Sequence, residues 1–156
     1  MFLISNNGNL NGKNPLMENN PMACDDVRHM GYDVKIDVWL TDKGWFLGNE
    51  KPQFSIEFEY LLRDGFWCQT KNVAALREMI QNEEINCFWH QEDEHTLTSK
   101  GYIWTYPGKP LTHKSICVLP ELLPDWRKQS AHGSAGICSD FIQQYDSSNS
   151  IWEDNK

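Results

Sequence analysis

The residues best suited to chemistry in this chain follow its short apolar runs. Asn6 and Asn7 follow the first run, and Lys35 and Asp37 sit inside Val34-Lys35-Ile36-Asp37-Val38. Asn49 and Glu50, Gln69 and Lys71, His90 and Glu92, Glu121, and Ser139 with Asp140 come after the later runs. In α/β sheets ligands gather at the carboxyl ends of strands, so these residues form an expected polar crown. Its carboxylates suit a hard cation, and its lysines suit an anion such as phosphate. At any single position a solvated loop residue is the commoner occupant.

Three further groups invite a chemical reading. His90, Glu92, Asp93 and His95 cluster after an apolar run and have the types to hold a metal or exchange protons, although a loop with two histidines is more often polar surface. Cys68 is a nucleophile by type, but Phe66 and Trp67 beside it favour an inert core thiol. Gly133-Ser134-Ala135-Gly136 lacks the spacing of a nucleophile elbow and reads as a glycine-rich loop.

Alternation and β-branched content predict strands at Phe2 to Ser5, Tyr32 to Leu40, Trp45 to Leu47, Phe66 to Thr70, Ile85 to Trp89, Ser115 to Leu119 and Gly136 to Ile142. Leu97 to Thr105 is expected to be extended and broken by a turn at Ser99-Lys100-Gly101. Asn20-Pro21 opens a helix running to about Met30, which Gly31 ends. Ser55 to Leu62 reads as a short helix, and Asn72 caps another over Val73 to Asn82. The βα alternation is that of a parallel sheet, giving an α/β class. One domain over 1–145 is expected, with a polar tail over 146–156 that Ile151 and Trp152 could pin back.

The net charge of −8 argues against nucleic acid. A small ligand or a protein partner fits better, since a few local cations can dominate one pocket. No apolar run is long enough to span a bilayer, and Met1 to Asn6 lacks the pattern of a signal peptide. The five cysteines are odd in number with no CxxC pair, and four sit in apolar runs. A reducing, cytoplasmic compartment is expected, with a disulfide framework as the alternative.

Taken in order, these residues carry a resemblance. Ile4-Ser5-Asn6-Asn7-Gly8, Glu18-Asn19, Lys35-Ile36-Asp37 after Gly31, Gly48-Asn49-Glu50 and Gln69-Thr70-Lys71 follow the layout of a phosphodiesterase site. The chain resembles the glycerophosphodiester phosphodiesterase family, within the wider phosphatidylinositol-phospholipase-C-like barrels. The resemblance covers the first half almost continuously. The second half, including Gly101 to Gly108, is similar to small members of that group. The family's His-Arg-Gly falls on Asn6-Asn7-Gly8, its Glu-x-Asp on Lys35-Ile36-Asp37, its second histidine on Asn49, and its Glu-x-Lys on Gln69-Thr70-Lys71.

The resemblance implies a compact, reduced TIM-like (β/α) barrel with some outer helices missing, since a complete barrel takes roughly 250 residues. It implies lipid-related phosphodiester hydrolysis by two histidines, with Mg²⁺ or Ca²⁺ held by carboxylates. Of the implied site, Glu18 and Asp37 remain as metal ligands and Lys71 as a catalytic cation. Asn6, Asn7 and Asn49 replace the catalytic histidines and arginine, and asparagine does not exchange protons near neutral pH. Lys35 brings a cation to an acidic position, so no resident cofactor is expected, and Mg²⁺ or Ca²⁺ belongs only to an active form.

The leading expectation is therefore a degraded hydrolytic site that binds a phosphorylated or polar small ligand through Lys35, Lys71, Gln69 and His90. One alternative is an active metal-dependent hydrolase using the His90 cluster. Another is a protein-interaction module built on the aromatic stretch Trp89 to Tyr106, with Trp104 and Tyr106 as anchors. Bare strand faces left by missing helices suggest a homo-oligomer.

Overall fold

Strands separated by helices or long loops must pair in parallel, and here they do so around a curve. The computed structural model describes residues 1–125 and 133–148. The expected parallel strands are β1 (Phe2–Asn6), β2 (Asp33–Thr41), β5 (Phe66–Thr70), β6 (Asn86–Trp89), β8 (Ile103–Thr105), β9 (Ser115–Val118) and β10 (Gly136–Ser139). They lie side by side in the order β6-β5-β2-β1-β10-β9-β8. β3 (Gly44–Leu47) and β4 (Phe54–Ile56) add antiparallel to the carboxyl half of β2, and β7 (His95–Leu97) pairs antiparallel with β8.

The result is an open, curled half-barrel. Phe88 on β6 stacks on Trp104 on β8 with centroids 4.6 Å apart, so the two ends of the parallel run return to each other. No ladder joins β6 to β7. Ser99 N–H donates to Cys87 O at 2.8 Å, and Thr96 Oγ1 donates to Trp89 O at 2.7 Å, across that gap.

Strand alternation divides the core in two. Ile4, Trp67, Phe88, Trp104, Ile116 and Cys138 fill the inside of the curl. Val34, Ile36, Val38, Cys68 and Cys87 face outward under α1 (Pro21–His29) and α2 (Val73–Met79). Phe2, Trp67 and Tyr102 meet edge to face at 5.3–5.4 Å and plug the amino end of the curl. The open end is therefore the carboxyl end of the strands.

The helices start where their caps dictate. Asn20 accepts from Met22 and Ala23 N–H at 3.1 Å, and Pro21 loses no helical bond at the first position. Asn72 accepts from Ala75 N–H and also pairs with both backbone groups of Leu40, which ties α2 to β2.

Four expectations need correction. Phe54–Ile56 is a strand paired with β3, so the helix expected over Ser55 to Leu62 shrinks to a 3₁₀ turn at Phe58–Leu62. The helix expected to reach Asn82 ends at Met79, with Ile80 as its cap. β9 stops at Val118 because Leu119 turns left-handed (φ 51°) before Pro120. β10 ends at Ser139, whose hydroxyl accepts from Phe141 N–H, and Ile142–Tyr145 is a 3₁₀ turn packed on β1. Residues 149–156, with Ile151 and Trp152, lie outside the described residues.

Some outward strand residues are buried despite the scarcity of helices. Cys117 and Ile137, on outward faces of β9 and β10, are 0% and 3% exposed within the single chain. All five cysteines are free and buried.

Candidate functional site

Lys35 and Asp37 are two residues apart on β2 and face the inside of the curl together, while Val34, Ile36 and Val38 face the helices. The Lys35 ammonium donates to Asp37 Oδ1 and to Asn7 Oδ1, each at 3.0 Å. Asn19 Nδ2 donates to Asp37 Oδ2 at 2.9 Å, and Asn19 Oδ1 accepts from Asp37 N–H at 2.9 Å. Both carboxylate oxygens of Asp37 are thus taken, in a group 1% exposed.

The loop after β1 is shaped to make these contacts. Asn7 and Asn19 are both left-handed, at φ 58° and 61°, a region asparagine tolerates better than most residues. Their backbones join through Asn19 N–H to Asn7 O at 3.0 Å, which holds the two ends of the loop beside β2.

A second network lies alongside. Asp140 Oδ1 accepts from Asn6 Nδ2 and Asn9 Nδ2, both at 2.9 Å. Asn9 Nδ2 also reaches Glu18 Oε1 at 3.1 Å. Glu121 accepts from Asp140 N–H at 3.1 Å and Ser139 Oγ at 2.9 Å. Asp140 leaves the strand ladder because its amide is committed to Glu121.

The opposite side of the mouth is less saturated. Gln69 pairs with Asp37 in register and lies on its face, and Lys71 N–H donates to Val38 O, carrying the alternation one residue past β5. Neither the Gln69 amide nor Lys71 Nζ has a hydrogen-bond partner among the described residues. His90 stacks on Tyr106 at 3.8 Å, and its Nδ1 lies 3.0 Å from Asp93 Oδ2. Burial alone would raise the Asp93 carboxyl, but its His90 hydrogen bond and backbone N–H groups hold it below the usual range. Burial pushes the Tyr106 hydroxyl well above the usual phenol range, against a hydrogen bond from Trp104, and Cys138, Asp93 and Asp37 add to the rise.

The crown expected from the sequence is therefore brought together at Asn6, Asn7, Lys35, Asp37, Gln69, Lys71, His90, Glu121 and Asp140. Asn49 is not part of either hydrogen-bonded network. It is exposed on a tight turn in which Gly48 N–H donates to Asp37 O at 3.1 Å. A side chain on Gly48 would collide with Lys51 O at 1.9 Å, so glycine is required there. His95 reaches Pro110 O at 3.1 Å, away from His90. Cys68 is fully buried, and burial pushes its thiol well above the usual range, as expected of an inert core residue. Trp104 is 1% exposed and belongs to the interior, which removes it as a surface anchor.

Asn9 and Asn19 carry much of the wiring, yet nothing in the sequence singles them out from an asparagine-rich loop. The one available signal is that Asn19 follows Glu18 in a recognisable pair.

The residues present do not fit a divalent cation. Asp37 is saturated by an ammonium and an amide, Glu18 bonds Asn9, and no group of three or more His, Cys, Asp or Glu among the described residues could hold a metal. No helix among the described residues is long and apolar enough to cross a membrane. Neither a protein-family model, nor a curated protein, nor a solved structure matches this chain.

Proposed function

We propose that this chain is a phosphodiesterase-like half-barrel that binds a small phosphorylated or polar ligand at its mouth without hydrolysing it. The observation that carries this reading is the position of the Lys35 ammonium, 3.0 Å from both Asp37 and Asn7. Paired with Asp37, it offsets that carboxylate's charge at a position where the resemblance calls for an acidic metal ligand, the part a bound cation would otherwise play. Asn6 and Asn49, at the two acid–base positions, offer no exchangeable proton. Lys71 and Gln69, at the mouth, have no side-chain hydrogen-bond partner among the described residues and are available to a ligand.

The test has two arms. Bis(p-nitrophenyl) phosphate with Mg²⁺ or Ca²⁺, and with EDTA, should give no turnover above a mock preparation. Inorganic phosphate and glycerol phosphate should perturb the amide spectrum of residues around Lys71. Metal-dependent turnover lost in Asp37→Ala would overturn the reading. Installing His at positions 6 and 49, Arg at 7 and Glu at 35 and 69 should restore metal-dependent hydrolysis. An intact but silent variant would count against the shared site layout.

The His90–Asp93 contact favours one rival. It leaves His90 Nε2 without a partner among the described residues. Hydrolysis that survives EDTA and disappears in His90→Gln would support an active enzyme using this pair.

A further inference from the structure

The unmet hydrogen-bonding capacity around the mouth describes a ligand more closely than its charge does. Gln69 is 9% exposed, and both atoms of its amide lack a partner among the described residues. Asn7 is 4% exposed; its Oδ1 accepts from Lys35 while its Nδ2 has no partner among the described residues. Asp140 is 4% exposed; its Oδ1 takes two amides while Oδ2 takes none from the described residues. Among the described residues only Asn86 Oδ1 is a sealed side-chain polar atom without a partner, so the open groups of Gln69, Asn7 and Asp140, on β5, just after β1 and just after β10, meet solvent and can exchange water for a ligand.

The types of these groups set its chemistry. An amide that both donates and accepts, a second donor and a carboxylate oxygen match hydroxyl groups, each of which donates and accepts at once. They do not match a dianion, because Asp140 and Glu18 lie on that side. The place for an anion is farther round the mouth. Lys71 and His90 are neighbours one step past the Thr70–Trp89 pair of the ladder, and neither Lys71 Nζ nor His90 Nε2 has a hydrogen-bond partner among the described residues.

We propose that the mouth binds a sugar phosphate, with the phosphate at Lys71 and His90 and the ring hydroxyls at Gln69, Asn7 and Asp140. This rests on the ligand-binding reading above and names its ligand class. Calorimetric titration with glucose 6-phosphate, ribose 5-phosphate, glucose and inorganic phosphate tests it. At least one sugar phosphate should bind about tenfold or more tighter than inorganic phosphate, the scale of one or two added hydrogen bonds. Lys71→Ala should weaken both sugar phosphate and inorganic phosphate. Gln69→Ala should weaken the sugar phosphate and leave inorganic phosphate unchanged; neither side chain has a hydrogen-bond partner among the described residues to lose on truncation.

Inorganic phosphate binding as tightly as either sugar phosphate, or a Gln69→Ala variant with undiminished sugar phosphate affinity, would overturn the sugar assignment alone. Absence of binding by all four probes to the folded protein would overturn the ligand-binding reading with it.

Discussion

Tyr106 stacks on His90 with ring planes 18° from parallel, two residues beyond the stack of Trp104 on Phe88. The two pairs are successive rungs, the first on the inner faces of β6 and β8 and the second one residue past the end of each strand. They close a seam that no backbone ladder closes. Aromatic surface, with isolated hydrogen bonds such as Ser99 N–H to Cys87 O, takes the place of the continuous ladder that completes an ordinary barrel, at the point where β7 turns away antiparallel.

The inner rung should carry more stability than the outer one. Phe88→Ala removes a 2% exposed ring and should cost about 3–5 kcal/mol in denaturant unfolding. A double-mutant cycle on His90 and Tyr106 should give a coupling of about 0.5–1.5 kcal/mol. Equal and small losses at both rungs would mean that the seam is closed by other contacts.

The Lys35–Asp37 pair should be far more sensitive to half-removal than to exchange. Lys35→Ala leaves a 1% exposed carboxylate without its cation and should cost about 3–5 kcal/mol. Lys35→Glu sets two carboxylates together, so its thermal stability should rise on adding Mg²⁺ or Ca²⁺, while the parent's should not. A Lys35→Glu midpoint indifferent to both ions would show that the remaining ligands cannot assemble a cation site.

Asp33 supplies a pH test with a defined sign. Burial raises its carboxyl above the usual range, against a 2.9 Å hydrogen bond from Trp67 Nε1. Its charged form is therefore disfavoured in the folded state, and acidification through the raised value relieves that cost. Asp33→Asn keeps an acceptor for Trp67 and should be more stable than the parent near neutral pH, with the advantage shrinking as pH falls. Asp25 has the opposite sign. Burial alone would raise it, but Arg28 and Arg63 hold it below the usual range. Its contribution is complete above the ordinary carboxylate range and is lost as pH falls through the lowered value. Asp25→Asn should accordingly be less stable than the parent near neutral pH, and the two should converge in acid.

A homo-oligomer has lost its original motive, because outward strand residues such as Cys117 are already buried within one chain. Light scattering should report a monomer. A stable dimer would direct attention to exposed Leu97 on edge strand β7.

The strands were legible because each needs a local pattern of alternating or β-branched residues, as in Tyr32 to Leu40. β4 was not, because Phe54-Ser55-Ile56 is too short for its period to outweigh the helix-like run that follows, and its pairing with β3 decides. The crown was legible at Lys35, Asp37 and Gln69, which sit inside recognisable strands. Asn19 was not, since its role depends on a left-handed backbone that places both ends of its amide against Asp37. The exposure of Asn49 was not legible either, since it follows from the tight turn at Gly48 and not from its spacing. The closure by His90 and Tyr106 required knowing which distant strands become neighbours.

The plug of Phe2, Trp67 and Tyr102 has a consequence for traffic. With the amino end sealed by rings and the interior packed by Ile4, Phe88, Trp104 and Ile116, no passage runs through the curl. The polar groups of the mouth can be approached from one side alone, so binding and release there would share a single route.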